Sequence, residues 1–384
     1  MAKKIYVGVS SKARKVKAMY VGVNSKARRI TKAYVGVGGI ARKIWPSEFS
    51  YYGSKTAKIT NPTAATTVGS YALFGSCGTP YSTNDVEYFN SSLTNGSAST
   101  LYCSTDSSYK TRGVIATTVN NYAIFGSGDI LGKQYGENRY LTGYNTSLTR
   151  KYVQVTGYNI GGLYAAATSI GNYAIFAGGF ADGYSMDYLL AVNSSLTYQS
   201  LDYSHNRHGL SATTVGNYAI FAGGDYNDDE GSYYFNTAYA YDSSLTERQL
   251  SNMSKQRFLG AATTIGSYAL FAGGKNDTAG SSKYFNDSVD AYDTSLTKSS
   301  APVLNIARFE LAATSVGDYA MFGGGSAYST SYCSDMDLYD KSLTHTVTTG
   351  LSVARSGIVA TTIGSYALFA GGSSSNYKLD IYSA

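Results

Sequence analysis

The sequence predicts an all-β protein in which seven four-stranded blades form a β-propeller, preceded by a small basic module of β-hairpins. The first observation is an apolar segment, Tyr-Ala-Leu-Phe-Ala-Gly-Gly at residues 268–274, which recurs seven times. The copies begin at Tyr71, Tyr122, Tyr173, Tyr218, Tyr268, Tyr319 and Tyr366. The second observation is a separate, basic 14-residue repeat within residues 1–45. A period of about 50 residues with four strands per unit is typical of propellers.

The first two strands of each repeat are predicted to form a tight hairpin. In the fifth copy, the run Ala-Ala-Thr-Thr-Ile at 261–265 is joined to Tyr268 by Gly266 and Ser267. The equivalent pair begins with glycine in six copies and reads Asn120-Asn121 in the second. These residues tolerate the positive φ that short hairpin turns require. In the second strand, Tyr and Leu should lie on one face, and Ala and Phe on the other.

A third and a fourth strand follow after a loop of variable length. In the fifth copy the third strand is predicted to end at Tyr292, and Asp293 opens a turn through its side chain. The sequence Ser-Leu-Thr at 295–297 is predicted to start the fourth strand, and it recurs in other copies. Each repeat therefore reads as four antiparallel strands.

These repeats resemble those of kelch β-propellers. The features that carry the resemblance are the doubled glycine after the second strand, the Tyr-Asp pair after the third, and an arginine before the first, as at Arg257, Arg308 and Arg355. The resemblance covers residues 46–384. The chain departs from the kelch pattern in having the Leu of Ser-Leu-Thr where kelch repeats have tryptophan, since the sole tryptophan is Trp45.

The last blade is predicted to take its fourth strand from the beginning of the propeller. The seventh repeat ends soon after its third strand, at residues 379–382, and no Ser-Leu-Thr precedes the first repeat. Residues 49–56 lie where a fourth strand would stand relative to Tyr71. Such a closure removes the open edges that a sheet would otherwise expose.

Residues 1–45 are predicted to form a separate anchor or docking module of three small hairpins, arranged as a six-stranded meander. This segment holds twelve Lys and Arg and no Asp or Glu, so residues 46–384 have 31 − 12 = 19 basic against 25 acidic residues. The anchor residues are predicted to be Lys12, Arg14, Lys26, Arg28 and Arg42. Because a lone hairpin is marginal in water, the units must stack, form a homo-oligomer or dock on a partner. Phosphate binding is an alternative, but no nucleic-acid motif accompanies the charge, and we expect an acidic protein surface instead.

This array resembles short repeats in structural proteins of phages that infect Gram-positive bacteria. The resemblance rests on Tyr-Val-Gly-Val at 6–9, 20–23 and 34–37, and on the basic segments that follow. It implies that the module binds phage virion proteins and that the propeller projects from the particle. The first residues lack the apolar core of a signal peptide, and no segment approaches the length of a membrane span. We therefore expect a virion protein made in the host cytoplasm, without membrane insertion.

The ligand is predicted to bind the face from which the loops between second and third strands emerge, because these loops vary while the hairpin turns do not. The candidate ligand-binding residues are Tyr233, Tyr234, Phe235, Tyr284, Phe285, Arg257 and Arg308. Two hypotheses remain open for the arginines, including Arg207, Arg355 and Arg112. They either clamp carboxylates or acidic sugars, or they bind carbonyl groups of neighbouring blades.

No catalytic, metal or cofactor site is predicted. The acidic cluster Asp225, Asp228, Asp229 and Glu230 lacks the spacing of a calcium loop. His205 and His208 are interpreted as surface histidines, and Cys77, Cys103 and Cys333 as free thiols. The resulting hypothesis is a non-enzymatic phage tail or capsid fibre head that recognises a host surface glycan or protein. The alternatives are an intracellular protein-interaction scaffold and a carbohydrate-active enzyme.

Overall fold

The computed structural model describes residues 49–384 except 60, 77–83, 103–110, 128, 131–138, 157–159, 161–162, 182–183, 203–204, 229–230, 277–283, 329–330 and 374–377. Before residue 49 it describes the backbone of six strands. The side chains of 111, 112, 129, 130, 181, 202, 228 and 328 also lie outside the description. No described residue lies in an α-helix, so the all-β prediction is confirmed.

The N-terminal module contains the six predicted strands. They are β1 Tyr6–Val9, β2 Lys12–Lys15, β3 Tyr20–Val23, β4 Lys26–Arg29, β5 Ala33–Val37 and β6 Ile40–Trp45. They pair two by two into three two-stranded antiparallel sheets, β1 with β2, β3 with β4 and β5 with β6. The predicted six-stranded meander is therefore wrong for the described residues. The hydrogen bonds of each sheet stay within one 14-residue unit, across its own turn. The anchor side chains lie outside the described residues.

Seven antiparallel blades follow, each with its strands in the order of the chain. Blade 1 contains β8 Ala64–Val68, β9 Tyr71–Gly75, β10 Val86–Asn90 and β11 Asn95–Ala98. Blade 2 contains β13 Ile115–Val119, β14 Tyr122–Gly126, β16 Arg139–Asn145 and β17 Arg150–Val155. Blade 3 contains β18 Ala166–Ile170, β19 Tyr173–Ala177, β22 Tyr188–Val192 and β23 Tyr198–Asp202. Blade 4 contains β24 His208–Val215, β25 Tyr218–Asp228, β27 Ala238–Tyr241 and β28 Glu247–Gln249.

Blade 5 contains β29 Ala261–Ile265, β30 Tyr268–Ala272, β31 Val289–Asp293 and β32 Lys298–Ala301. Blade 6 contains β33 Ala312–Val316, β34 Tyr319–Gly323, β37 Met336–Asp340 and β38 His345–Thr348. Blade 7 contains β39 Val359–Ile363, β40 Tyr366–Ala370 and β41 Lys378–Ser383, and its fourth strand is β7 Ser50–Thr56. The first strand of every blade lies beside the first strand of the next, and β39 lies beside β8. The ring is therefore closed, and β7 closes it as predicted.

Short strand pairs extend several of the loops. They are β12 Thr111–Arg112 with β15 Asp129–Ile130, β20 Phe180–Ala181 with β21 Tyr184–Ser185, β35 Ser326–Tyr328 with β36 Ser331–Tyr332, and the end of β25 with β26 Gly231–Tyr234. Several segments between second and third strands are thus hairpins rather than irregular loops, because alternating residues continue the strand period beyond the blade.

The core lies between the blades. The predicted alternation in the second strand is confirmed: Leu270 packs in the cluster that blade 5 shares with blade 6, and Phe271 packs in the cluster shared with blade 4. The described residues form such a cluster between each pair of neighbouring blades. Because both faces of a blade are buried, all four residues after the first tyrosine of the second strand are buried.

The hairpin turns have the backbone that the sequence predicts. Gly266 has φ +58°, and together with Ser267 it joins Ile265 to its partner Tyr268. Asn120, which replaces glycine in blade 2, has φ +51°. In a type II′ hairpin the first turn residue has positive φ, and this position is usually glycine.

The turn before the fourth strand differs from the prediction. Asp293 accepts hydrogen bonds from the backbone N–H groups of Ser295 and Thr297, 2.8 and 2.9 Å away, so its predicted role is confirmed. Leu296, however, has φ +66° and belongs to the turn, and the fourth strand begins only at Lys298. The equivalent leucines 93, 148, 196, 245 and 343 have φ between +59° and +64°. The left-handed conformation is costly for leucine, and burial of its side chain between blades offsets that cost.

Threonine hydroxyl groups link the first strands around the inside of the ring. The Thr264 hydroxyl donates to the carbonyl oxygen of Thr214 in the preceding blade, 2.6 Å away. Thr214 donates in the same way to Ser169, and Thr362 donates to Ser315. The second threonine of the Ala-Thr-Thr run in the first strand therefore connects neighbouring blades.

Candidate functional site

The repeated arginines are buried structural residues. Arg308 Nη2 lies 2.6 Å from Asp337 Oδ2, and both side chains are fully buried. Arg257 pairs with Asp290 at 2.6 Å, and Arg355 with Asp380 at 2.7 Å, again with almost no exposure. In each pair the aspartate comes from the third strand of the arginine's own blade.

Other guanidinium N–H groups of these arginines bind backbone carbonyl groups of the same blade. Arg308 donates from Nε to the carbonyl oxygen of Gly324 at 2.8 Å and from Nη2 to that of Phe322 at 3.0 Å. Its own carbonyl oxygen accepts from the N–H of Gly274 in the preceding blade, 2.8 Å away. Burial and these partners give Arg257 and Arg308 a packing role, and we leave them out of the ligand surface. The hypothesis that the arginines bind backbone carbonyl groups is correct in the type of partner but wrong in its location. The guanidinium groups bind carbonyl oxygens of their own blade rather than of the neighbouring blade. The side chain of Arg112 lies outside the described residues.

The candidate aromatic residues divide between surface and core. Tyr233 lies in β26 and is 46% exposed. Tyr234 and Phe235 are half-buried; the Tyr234 ring lies 6.2 Å from that of Phe258, and Arg207 lies over the Phe235 ring at 4.0 Å. Tyr284 is half-buried. Phe285 is 8% exposed and packs against Phe309 with ring centroids 5.3 Å apart, so it supports the loop rather than meeting a ligand.

Two further exposed tyrosines lie in the corresponding hairpins of other blades, Tyr184 at the position of Tyr233 and Tyr332 at the position of Tyr234. Tyr184 lies in β21 of blade 3 and is 57% exposed, and Tyr332 lies in β36 of blade 6 and is 40% exposed. Each belongs to the hairpin between the second and third strands. The sequence signal that marks them is a tyrosine beside Ser or Gly in the variable segment.

His208 is not the surface residue that the sequence suggested. It is 6% exposed, its Nε2 lies 3.1 Å from Asp225 Oδ1, and its Nδ1 lies 3.0 Å from Ser185 Oγ. Burial lowers the pKa of His208 to about 4 and raises the pKa of Asp225 to about 7. Ser185 Oγ also accepts the backbone N–H of Asn227 at 3.1 Å.

This buried network joins the hairpins of blades 3 and 4. It contains the residue types of a nucleophile triad, but Ser185 is 7% exposed and its oxygen is already an acceptor for a backbone amide. A nucleophile needs access to its substrate. The arrangement therefore fits a structural link between the two hairpins. Of the acidic cluster, Asp225 serves this link, whereas the side chains of Asp228, Asp229 and Glu230 lie outside the described residues.

The other polar candidates also have structural partners. His205 stacks on Tyr239 and lies 3.3 Å from Glu247. Cys333 is a buried free thiol, and Cys77 and Cys103 lie outside the described residues. Within the described ranges, His, Cys, Asp and Glu side chains form no group of three that could hold a metal ion. None of the described residues lies in a helix that is long and apolar enough to cross a membrane.

A ring of residues with positive φ surrounds the mouth of the central channel on the face of the variable hairpins. One residue comes from each blade, nine or ten positions before the tyrosine of the second strand: Asn61, Gly113, Tyr164, Gly209, Leu259, Glu310 and Gly357. Backbone hydrogen bonds of 2.7 to 3.0 Å run from Gly209 to Tyr164, from Leu259 to Gly209, from Glu310 to Leu259, and from Gly357 to Glu310. Positive φ is uncommon outside glycine and concentrates at functional sites.

These seven residues line a cavity of about 550 Å³. The volume lies within the range of small-molecule sites. Leucine, isoleucine, valine and proline residues from the starts of the first strands form much of its wall. Tyr164 is 43% exposed, and its ring lies 5.9 Å from that of Phe258. The cavity and the exposed tyrosines of the hairpins together form the candidate binding site.

No family model matches the chain, and no curated protein sequence matches it.

Proposed function

We propose that this protein is a non-enzymatic binding protein, in which a kelch-like propeller is the recognition head and residues 1–45 attach it to a virion. The observation that carries the proposal is the open, largely apolar cavity at the channel mouth, with Tyr164 exposed in its wall. The ligand class is a glycan or protein of the host surface, met by a phage tail or capsid fibre.

The hairpins around the mouth support recognition of an external ligand. Tyr184, Tyr233 and Tyr332 expose large aromatic rings on three different blades of the same face. Tyrosine supplies flat, amphipathic contact area at low cost in conformational entropy, which suits stacking on sugars and packing on proteins. In the described blades the opposite face carries the two-residue turns between first and second strands and the short turns before the fourth strands.

The absence of catalysis is part of the proposal. Ser185, His208 and Asp225 are the one nucleophile-like group that we find among the described side chains, and all three are buried. The carboxylates Asp290, Asp337 and Asp380 neutralise arginines inside the blades. Neither set is placed to act on a molecule in the channel mouth.

Attachment through residues 1–45 rests on charge and on the resemblance to phage structural repeats. This segment carries twelve basic and no acidic residues, whereas the remainder is net negative. We expect mass spectrometry of purified phage particles to detect the full chain. We expect residues 46–384 alone to bind the host yet to be absent from particles. A chain present in lysates but absent from particles would favour the intracellular scaffold instead.

Binding is tested with the full chain on an array of bacterial cell-wall and capsular glycans, and by adsorption to a panel of Gram-positive strains. Tyr184→Ala combined with Tyr233→Ala should reduce binding severalfold without changing the melting temperature, because both rings are exposed. Tyr52→Ala is the matched control, since Tyr52 is 57% exposed on the outer strand of blade 7. Equal binding by the double variant and the control would exclude the hairpin face.

A further inference from the structure

The channel mouth carries a single described carboxylate. Glu310 is the only Lys, Arg, His, Asp or Glu among the described residues that line the cavity. Its Oε2 accepts a hydrogen bond from Ser356 Oγ at 2.9 Å, and Ser356 Oγ lies 3.2 Å from Ser373 Oγ. No described cationic side chain forms an ion pair with Glu310. Glu310 is thus a half-buried negative charge in a largely apolar wall.

The backbone holds Glu310 in this position. Its φ is +54°, which is unfavourable for a side chain of this size. Its N–H donates to Leu259 and its carbonyl oxygen accepts from Gly357, at 2.9 and 3.0 Å. The ring of backbone hydrogen bonds therefore fixes the strained conformation. A half-buried charge without a counter-ion is unfavourable, and a cation supplied by a ligand would offset that cost.

Tyr164 is the one aromatic side chain among the described residues that line the cavity. Tyr164 lies three blades from Glu310 on a ring of seven, so the two residues face each other across the mouth. Tyr164 packs edge-on against Phe258, which leaves 43% of its surface exposed. An exposed tyrosine offers a stacking surface for a sugar ring and a hydroxyl group for hydrogen bonding.

We propose that the channel mouth binds an amino sugar with a free, protonated amine, which Glu310 neutralises while Tyr164 stacks on the sugar ring. This inference rests on the proposed function and gives it a ligand class. A cavity of about 550 Å³ accommodates one or two sugar rings. The same carboxylate repels acidic sugars. The preference is therefore opposite to the one that exposed arginines would have produced.

The test is calorimetric or ligand-observed NMR titration of the full chain with glucosamine and its β-1,4-linked disaccharide. N-acetylglucosamine, glucose, glucuronic acid and lysine are the comparison ligands. Glucosamine should bind about tenfold or more tightly than N-acetylglucosamine, because acetylation removes the charge that Glu310 binds. Glucuronic acid should be the weakest sugar. Equal affinity for glucosamine and N-acetylglucosamine, or stronger binding of lysine than of glucosamine, would overturn the ligand class.

Substitutions of Glu310 and Tyr164 test the contribution of each residue to sugar binding separately. Glu310→Gln should weaken glucosamine binding about tenfold or more and abolish the preference over N-acetylglucosamine. Tyr164→Ala should weaken all the neutral and amino sugars together. Asp318→Asn is the matched control, since Asp318 is an exposed carboxylate in a hairpin turn on the opposite face. Unchanged glucosamine binding by Glu310→Gln would overturn the inference.

The outcomes distinguish this inference from the proposed function. Array or cell binding that does not depend on Glu310, with no saturation by glucosamine, would leave the proposed function standing and remove the amino-sugar site. Glu310-dependent glucosamine binding, with no binding to any strain or array glycan, would support the site and contradict the host-recognition function.

Discussion

Arg308 and Asp337 form a fully buried ion pair, with Nη2 and Oδ2 2.6 Å apart between the approach to blade 6 and its third strand. Asp337 also accepts the N–H of Asn305 at 2.8 Å and lies 2.6 Å from His345 Nε2. The Asp337 carboxylate in the third strand therefore binds both the segment before the first strand and the start of the fourth strand. The pair recurs as Arg257 with Asp290 and as Arg355 with Asp380.

Removal of one partner should destabilise the propeller strongly. Arg308→Met leaves Asp337 buried without its cation, and we expect a loss of about 3–5 kcal/mol in the free energy of unfolding. Arg308→Met with Asp337→Leu should cost less than Arg308→Met alone, because no buried charge remains. Chemical denaturation measures the differences.

The matched control is Lys341→Met, which breaks the exposed pair between Lys341 and Asp318. Exposed ion pairs contribute little, so its denaturation midpoint should stay near that of the wild type. If Arg308→Met behaved like Lys341→Met, the buried pair would not be a main support of blade 6.

Strand β7 should be necessary for the whole ring. Its residue Tyr51 donates from its hydroxyl to Asp380 Oδ1 at 2.8 Å, and Phe49 stacks on Tyr382 with centroids 5.7 Å apart. A chain that begins at residue 58 exposes the edge of β41 and loses both contacts. We expect it to melt well below a chain that begins at residue 46. Equal melting temperatures of the two chains would contradict closure by β7.

The turn glycines should respond to substitution according to φ. Gly266→Val places a β-branched residue at φ +58° and should cost roughly 1–3 kcal/mol in unfolding free energy. Asn120→Gly should change stability little, because asparagine already tolerates φ +51° there. The control is Ser267→Val, at the second turn position. A larger loss of unfolding free energy for Ser267→Val than for Gly266→Val would show that the second turn position, not the first, restricts the residue type.

The sequence predicted the parts of the fold that depend on short-range pattern. Strand alternation placed Leu270 and Phe271 on opposite faces, and a missing Ser-Leu-Thr motif located the closing strand. The positive φ of Leu296 was not predicted, because it depends on the space that the neighbouring blade offers to the side chain. The glycines at 113, 209 and 357, nine residues before their tyrosines, were a signal for the ring of positive φ that sequence reasoning missed.

The candidate site was less predictable, because it depends on burial. Arg257 and Arg308 recur in register, which suits a ligand clamp and a buried pair equally well until Asp290 and Asp337 are seen opposite them. His208 and Asp225 are 17 residues apart in sequence, and only the pairing of β24 with β25 brings them together. Tyr164 and Glu310 line the same cavity only because the circular order of the blades brings them to one channel mouth.

The pH dependence of stability should report on the His208–Asp225 pair. Burial holds the pKa of His208 at about 4, below its ordinary 6.5, and holds the pKa of Asp225 at about 7, above its ordinary 3.8. As pH falls from 6.5 toward 4, His208 gains its proton in the unfolded chain first, which destabilises the fold. As pH rises from 4 toward 7, Asp225 loses its proton in the unfolded chain first, which also destabilises the fold. The two effects oppose each other, so the pair should contribute little net slope in the wild type between pH 4 and 6.5.

Single substitutions should separate the contributions of His208 and Asp225 to the pH dependence of stability. Asp225→Asn leaves His208 alone, so relative to the wild type its stability should rise with pH between 4 and 6.5. His208→Gln keeps an amide toward Asp225 and removes the imidazole, so its stability should fall relative to the wild type as pH rises from 4 to 6.5. Urea denaturation at half-unit pH steps measures both curves, and Asp318→Asn, an exposed carboxylate variant, controls for the loss of one charge. Relative slopes of the same sign in the two variants would mean that His208 and Asp225 are not both desolvated in the folded protein. Opposite slopes would establish that the link between the hairpins of blades 3 and 4 titrates as a buried pair.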